Sequence, residues 1–270
     1  MSHRITGVIL DWAGTAIDFG SFAPVIPFID SFKQHGIDIS LKECRIPMGL
    51  KKIDHVKYLL NLPNIKEQFF NKYHRYSNET DITNIYRSFN ESIFYTLKDY
   101  AQPIDGVVET VEQLRAMNIK IGSTSGYTKE MIKIIAPIAE SYGYYPDYVI
   151  GSDEVSKCRP YPYMIYKNII NLDLVNSNNV IKVGDTITDI HEGLNAKCIS
   201  VGVVVGGNEL GLDKQQFATL NPKEKKEQIT IIKEKMLNAG AHYVIETIHE
   251  LPDLVQQINL KLEDAKLIKL

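Results

Sequence analysis

The 270 residues carry a formal net charge of -3 at pH 7 and are 44% hydrophobic, enough for one α/β domain of ordinary size with a second, smaller unit. That charge balance argues against a surface built mainly to neutralise nucleic-acid phosphates, so an anionic ligand must be caught locally. Three scattered cysteines, Cys44, Cys158 and Cys198, form neither a disulfide framework nor a closely spaced structural zinc pair, and they fit a reducing cytoplasm.

The first ten residues, MSHRITGVIL, hold a short apolar run that stops at Asp11 and lacks the apolar length and cleavage site of a signal peptide. No apolar stretch elsewhere is long enough to span a bilayer, so the expectation is an unexported chain that is not embedded in a membrane. Residues 5–10 read as a strand buried on both faces of a parallel sheet. The section 22–100 is rich in charged, Tyr and Phe residues at helical spacing and has no convincing buried strand, so it reads as a helical insertion. Gly20 or Ser21 marks its departure, and Pro103 and Gly106 mark its return.

Buried runs recur at 119–123, 147–150 and 180–183, alternating with helix-period segments at 129–142, 163–171 and 189–196. This alternation predicts a doubly wound parallel sheet of Rossmann type. A loop opens at Gly206 and Gly207, a charged helix follows over 222–238, and a last strand and helix run over 242–258. The expected domains are an α/β core of residues 1–20 and 101–270 and a helical cap of residues 21–100, with two linkers leaving one place so that the cap can hinge as a lid.

Ligands of such sheets bind outside the carboxyl ends of the strands, which directs attention to Asp11, Ser125, Asp153 and Asp185. Asp11, followed by Trp12-Ala13-Gly14-Thr15, is either a turn cap or a carboxylate able to attack phosphorus. Asp185 and Asp189, bracketing a loop and helix start, offer hard oxygen ligands of the kind Mg²⁺ takes, although Asp189 alone also fits a helix cap. Ser125-Gly126 offers a hydroxyl and the amides of the next helix to phosphate oxygens, and Arg159 offers a cation.

This order of residues resembles the haloacid dehalogenase superfamily. The resemblance implies that Asp11 is the nucleophile, that Asp11, the Ala13 carbonyl and Asp185 hold Mg²⁺ with Asp189 in support, and that Ser125 and Arg159 bind phosphoryl oxygens. Phosphatases of that superfamily carry a second Asp two residues after the nucleophile, where this chain has Ala13. A methyl group exchanges no proton, so either activity is lost or the leaving group needs other help. A carbon leaving group is the natural candidate, because an imine between an aldehyde and a lysine takes up its electrons.

Lys52 stands at the start of a helix in the insertion after a Pro/Gly break, with His55 on the same helix face. The positive end of that helix and burial under a lid would both disfavour its ammonium form, and His55 would relay protons. Read alone, without Ala13, Lys51 and Lys52 fit a solvated basic face better, and His55 a satisfied or exposed surface histidine. Together DWAGT at Asp11, PMGLKKIDHV at Pro47, GSTSGYT at Gly122, CRPYPYM at Cys158 and KVGDTITDI at Lys182 resemble the phosphonoacetaldehyde hydrolase family, or phosphonatases.

That resemblance implies cleavage of a small phosphonate aldehyde through a Schiff base on Lys52, assisted by His55, and an aspartyl phosphate on Asp11. It also implies that Met48 and Tyr127 shape the aldehyde pocket, although simple packing accounts for either equally well, and that the protein is a homodimer through its cap. The charge balance and the lack of a long apolar stretch lead us to expect no nucleic-acid or membrane partner. The alternatives are a Mg²⁺-dependent phosphate-ester phosphatase on the same fold and a catalytically silent phosphate-binding module. The sequence shows no evident base for aspartyl-phosphate hydrolysis.

Overall fold

A computed structural model describes residues 4–267, the side chains of 265–267 excepted; residues 1–3 and 268–270 of the expected core domain lie outside the described residues. The chain opens with β1 (Gly7–Leu10), whose four residues are all buried. Five helices follow: α1 (Val25–Gln34), α2 (Leu41–Arg45), α3 (Lys52–Leu60), α4 (Pro63–Tyr73) and α5 (Glu79–Thr96). A 3₁₀ turn over Leu97–Tyr100 leads back towards α6 (Val107–Ala116).

Strand and helix then alternate through β2 (Lys120–Thr124), α7 (Lys129–Ser141), β3 (Tyr148–Ile150), α8 (Tyr163–Asn171), β4 (Val180–Gly184), α9 (Ile187–Asn195) and β5 (Ile199–Val203). The described chain ends with α10 (Lys214–Thr219), α11 (Pro222–Asn238), β6 (Tyr243–Ile245) and α12 (Leu251–Leu267).

The six strands form one parallel sheet in the order β3-β2-β1-β4-β5-β6. Strand order reverses at β1, and the loops after β1, β2 and β4 therefore meet at one crevice. Helices cover both faces, as the continuous burial of β1 and β4 requires. The α/β class and the expected elements stand, with β5, α6 and α10 as additions; β5 is the one in the sheet. Its sequence Ile-Ser-Val-Gly-Val interrupts the apolar run, but Ser200 Oγ donates to the Ile190 carbonyl at 3.0 Å. Gly202 leaves room for Met236, whose Sδ would lie 2.4 Å from an added Cβ.

The inserted helices contain no strand, and their buried apolar residues are continuous with the cluster that packs β1 and β2. Phe28 stacks on Phe89 with centroids 4.1 Å apart and on His55 at 3.8 Å, and each fully buried Phe contributes about 1.5–3 kcal/mol of burial. The crossing into the insertion is built from left-handed residues, Asp18, Gly20 and Ser21, with φ of 58°, 87° and 54°. The Asp18 carboxylate accepts the Phe22 and Ala23 amides at 2.8 and 2.9 Å. On the return, Ile104 N–H donates to the Ala16 carbonyl at 2.9 Å, so both crossings lie side by side. No helix among the described residues is long and apolar enough to cross a membrane.

Candidate active site

Asp11 leaves the end of β1 with its amide donating to the Val183 carbonyl of β4 at 3.0 Å, which fixes it at the sheet's reversal point. The turn behind it is tight, because the Thr15, Ala16 and Ile17 amides all converge on the Trp12 carbonyl. Gly14 adopts φ +83°, and a Cβ there would lie 2.1 Å from Asp185 Oδ2. Only glycine lets the turn and that carboxylate approach so closely.

Asp185 follows β4 and accepts Thr15 Oγ1 at 3.1 Å and the Asn208 amide at 2.7 Å. Asp189 sits in the first turn of α9, but the cap of that helix is Thr186, whose hydroxyl accepts the Asp189 amide. The Asp189 carboxylate instead faces Lys182 Nζ at 2.8 Å, Arg159 Nη1 at 3.1 Å and Thr186 Oγ1 at 2.6 Å. Carboxylate oxygens of Asp11, Asp185 and Asp189 all lie within 4.8 Å of one another.

Arg159 is 3% exposed and binds this acidic group like a fork. It reaches Asp11 Oδ1 at 2.7 Å, Glu192 Oε2 at 2.8 Å and Thr124 through both its carbonyl and its hydroxyl. Lys182, buried in the middle of β4, adds a second cation 3.5 Å from Glu192. Burial raises the Asp189 pKa, but Arg159 and Lys182 outweigh it and hold this carboxyl below its ordinary range. Burial together with the Asp11 and Asp189 charges pushes Asp185 well above the carboxylate range, and burial raises Asp11 despite Arg159.

Asp185 has no ion-pair partner among the described residues and crowds Asp11, an arrangement that fits a divalent metal, whose charge removes that repulsion. The donors are hard oxygens, as Mg²⁺ requires. Asp11, Asp185 and the Ala13 carbonyl are the residues that would hold it, and Asp189, already satisfied by protein cations, would support them.

A small cavity of about 20 Å³ opens beside this group. Asp11, Ala13, Met48, Lys52, Ser125, Gly126, Tyr127 and Arg159 all line it, together with Ser21, Gly49 and Thr186. Lys52 begins α3 and is 4% exposed; among the described residues its Nζ makes no hydrogen bond or ion pair and lies 4.9 Å from the Tyr127 ring centre. Burial lowers its pKa to about 8 against the pull of Asp11, and the helix N-terminus acts in the same direction.

His55 lies behind Lys52, stacked on Phe28 and away from the cavity lining. Its Nε2 faces the Cys44 carbonyl at 2.9 Å and so carries the proton, leaving Nδ1 as an unpartnered buried acceptor among the described residues. Burial and Lys52 keep this imidazole neutral by lowering its pKa well below 6.5.

Ser125 Oγ accepts the Tyr127 amide at 3.1 Å, and Gly126 lies under the insertion, where a Cβ would meet the Leu50 carbonyl at 2.8 Å. The amides of Lys129 and Met131 at the start of α7 are taken by Asp153 and Thr128, so Asp153 serves that helix and not the cavity. Sequence reasoning gave no role to Lys182, Glu192, Thr124 or Thr186. Lys182 carried a usable signal, a cation inside an otherwise apolar strand.

A family model described as haloacid dehalogenase-like hydrolase matches residues 5–197. The chain is 48% identical to a phosphonoacetaldehyde hydrolase of Parabacteroides distasonis over 257 residues, covering 95% of this chain and 97% of that protein. It is 43% identical to a phosphonoacetaldehyde hydrolase of Bacillus cereus, covering 94% and 97%. A solved structure of a phosphonoacetaldehyde hydrolase-like protein from Oleispira antarctica superposes with a TM-score of 0.93 at 36% identity, covering 96% of this chain and 94% of that one.

Proposed function

Because this chain belongs to the phosphonoacetaldehyde hydrolases, within the haloacid dehalogenase-like hydrolases, we propose that it splits the carbon–phosphorus bond of phosphonoacetaldehyde through an imine on Lys52 and a phosphoryl group carried by Asp11. The observation that carries this reading is a buried amine with no ion-pair partner among the described residues, lining the same cavity as Asp11, with Ala13 where a phosphatase needs an acid. A pKa near 8 leaves about a tenth of Lys52 as free amine at pH 7, against well under a thousandth for an unperturbed lysine.

Lys52 Nζ attacks the aldehyde carbon, water leaves, and an imine forms. Neutral His55, one turn along the same helix and held by the Cys44 carbonyl, adds no positive charge behind Lys52. Arg159 and Ser125 hold the phosphonate oxygens. Asp11, Asp185 and the Ala13 carbonyl would hold Mg²⁺, whose charge would let a carboxylate approach a phosphonate dianion.

Asp11 then attacks phosphorus in line; the carbon–phosphorus electron pair passes into the imine and leaves an enamine. No alkoxide departs, so the Ala13 methyl suffices. Water cleaves the aspartyl phosphate, the enamine takes a proton at carbon, and hydrolysis of the resulting imine frees acetaldehyde and Lys52. We also propose that the protein acts as a homodimer through the insertion, where Tyr76 and Tyr95 are 61% and 79% exposed; sedimentation at monomer mass contradicts this.

The test of the function is turnover of phosphonoacetaldehyde with Mg²⁺, following both products. Equal amounts of acetaldehyde and phosphate are expected. Phosphate release from simple phosphate esters at comparable rates, with none from the phosphonate, overturns the reading.

A further inference from the structure

Asn208 lies in the loop after β5, is 4% exposed, and touches both the insertion and the acidic group. Its amide N–H donates to Asp185 Oδ2 at 2.7 Å. Its side chain makes a two-way exchange with Arg45, the last residue of α2: Arg45 Nη1 donates to Asn208 Oδ1 at 3.0 Å, and Asn208 Nδ2 donates to the Arg45 carbonyl at 3.2 Å. Arg45 Nη1 also donates to the Gly20 carbonyl at 2.7 Å, so one guanidinium ties α2 to the crossing from β1 as well.

Lys52 follows Arg45 after a short loop, and that loop is pinned again midway. Thr188 Oγ1 donates to the Met48 carbonyl at 3.3 Å, and a Cβ on Gly49 would lie 2.6 Å from Thr186 Oγ1. The amide of Asn208 matches Arg45 only in one orientation, with oxygen towards the cation and nitrogen towards the carbonyl.

We propose that Arg45 and Asn208 are positioning residues, a latch that registers Lys52 against the Asp11–Asp185 pair. The proposal rests on the imine reading above. Imine formation needs only that the aldehyde reach the Lys52 amine, whereas phosphoryl transfer needs the Lys52-bound substrate in line with Asp11, and misplacement by about 1 Å costs on the order of 100-fold. Release of the latch therefore leaves the first step in place and slows the second.

The experiment compares wild type, Asn208→Ala, Arg45→Met and the double variant with phosphonoacetaldehyde and Mg²⁺. Borohydride labelling of Lys52 and phosphate release are measured in single turnovers. Labelling at the wild-type level is expected in all variants, with phosphate released per labelled lysine down about 10- to 100-fold in each single variant, the range for a hydrogen bond to a charged group. The double variant is expected to lose less than the product of the two single losses, because the bond from Arg45 Nη1 to Asn208 Oδ1 is common to both changes, while each also breaks one bond of its own.

Unchanged phosphate release, losses that multiply in the double variant, or labelling that falls in parallel with release overturns the latch. Should the larger changes impair folding, Arg45→Lys keeps the charge and loses the fork, and the same ratio is expected to fall. A wild-type protein whose Lys52 takes no label overturns the imine reading itself, a result separate from every outcome among the variants.

Discussion

Replacing Lys52 with Met is expected to abolish turnover and make the folded protein more stable. Burial moves the Lys52 pKa from its ordinary 10.5 to about 8, and at ~1.4 kcal/mol per pK unit the folded state carries a penalty of about 3 kcal/mol at pH 7. Met fills similar space without a charge. The sign follows from proton counts. Between pH 8 and 10.5 the unfolded chain holds a proton on Lys52 that the folded protein has released, so the wild type gains stability as pH rises through that window.

The variant has no such gain. Its advantage is therefore greatest below pH 8, shrinks as the pH rises from 8 to 10.5, and is lost above that. Urea unfolding of both metal-free proteins across this range measures the difference. A variant no more stable than wild type at pH 7, or an advantage independent of pH, refutes the claim that burial depresses the Lys52 pKa.

Two further substitutions probe the acidic group. Lys182→Met strips a buried cation from Asp189 and Glu192 and is expected to cost about 3–5 kcal/mol of stability in urea unfolding; a loss below about 1 kcal/mol would mean that Arg159 alone suffices. Gly14→Ala drives a methyl into Asp185 from a backbone at φ +83°, and the Mg²⁺ concentration for half-maximal phosphate release is expected to rise about 10- to 100-fold, while an unchanged requirement contradicts Asp185 as a ligand.

Much of this was legible in the residue order. Continuous apolar runs ending in Asp11 and Asp185 announced buried parallel strands with carboxylates at their ends, and the absence of such runs over 22–100 announced the helical insertion. β5 was not legible, because the packing that makes Ser200 and Gly202 suitable for a central strand comes from α9 and α11. The residues assigned to the site were found from motif chemistry, yet their partners were not. Glu192 and Thr124 look like ordinary helix and strand residues until Arg159 is seen to touch both. Nor does spacing reveal that His55 stacks on Phe28 instead of facing the cavity.

The most direct measurement is borohydride reduction during turnover of phosphonoacetaldehyde, followed by peptide mapping. The mechanism predicts a stable two-carbon adduct on Lys52, formed only when substrate is present and absent from Lys52→Arg. Turnover without any adduct on this lysine, or an adduct confined to Lys51, would contradict it.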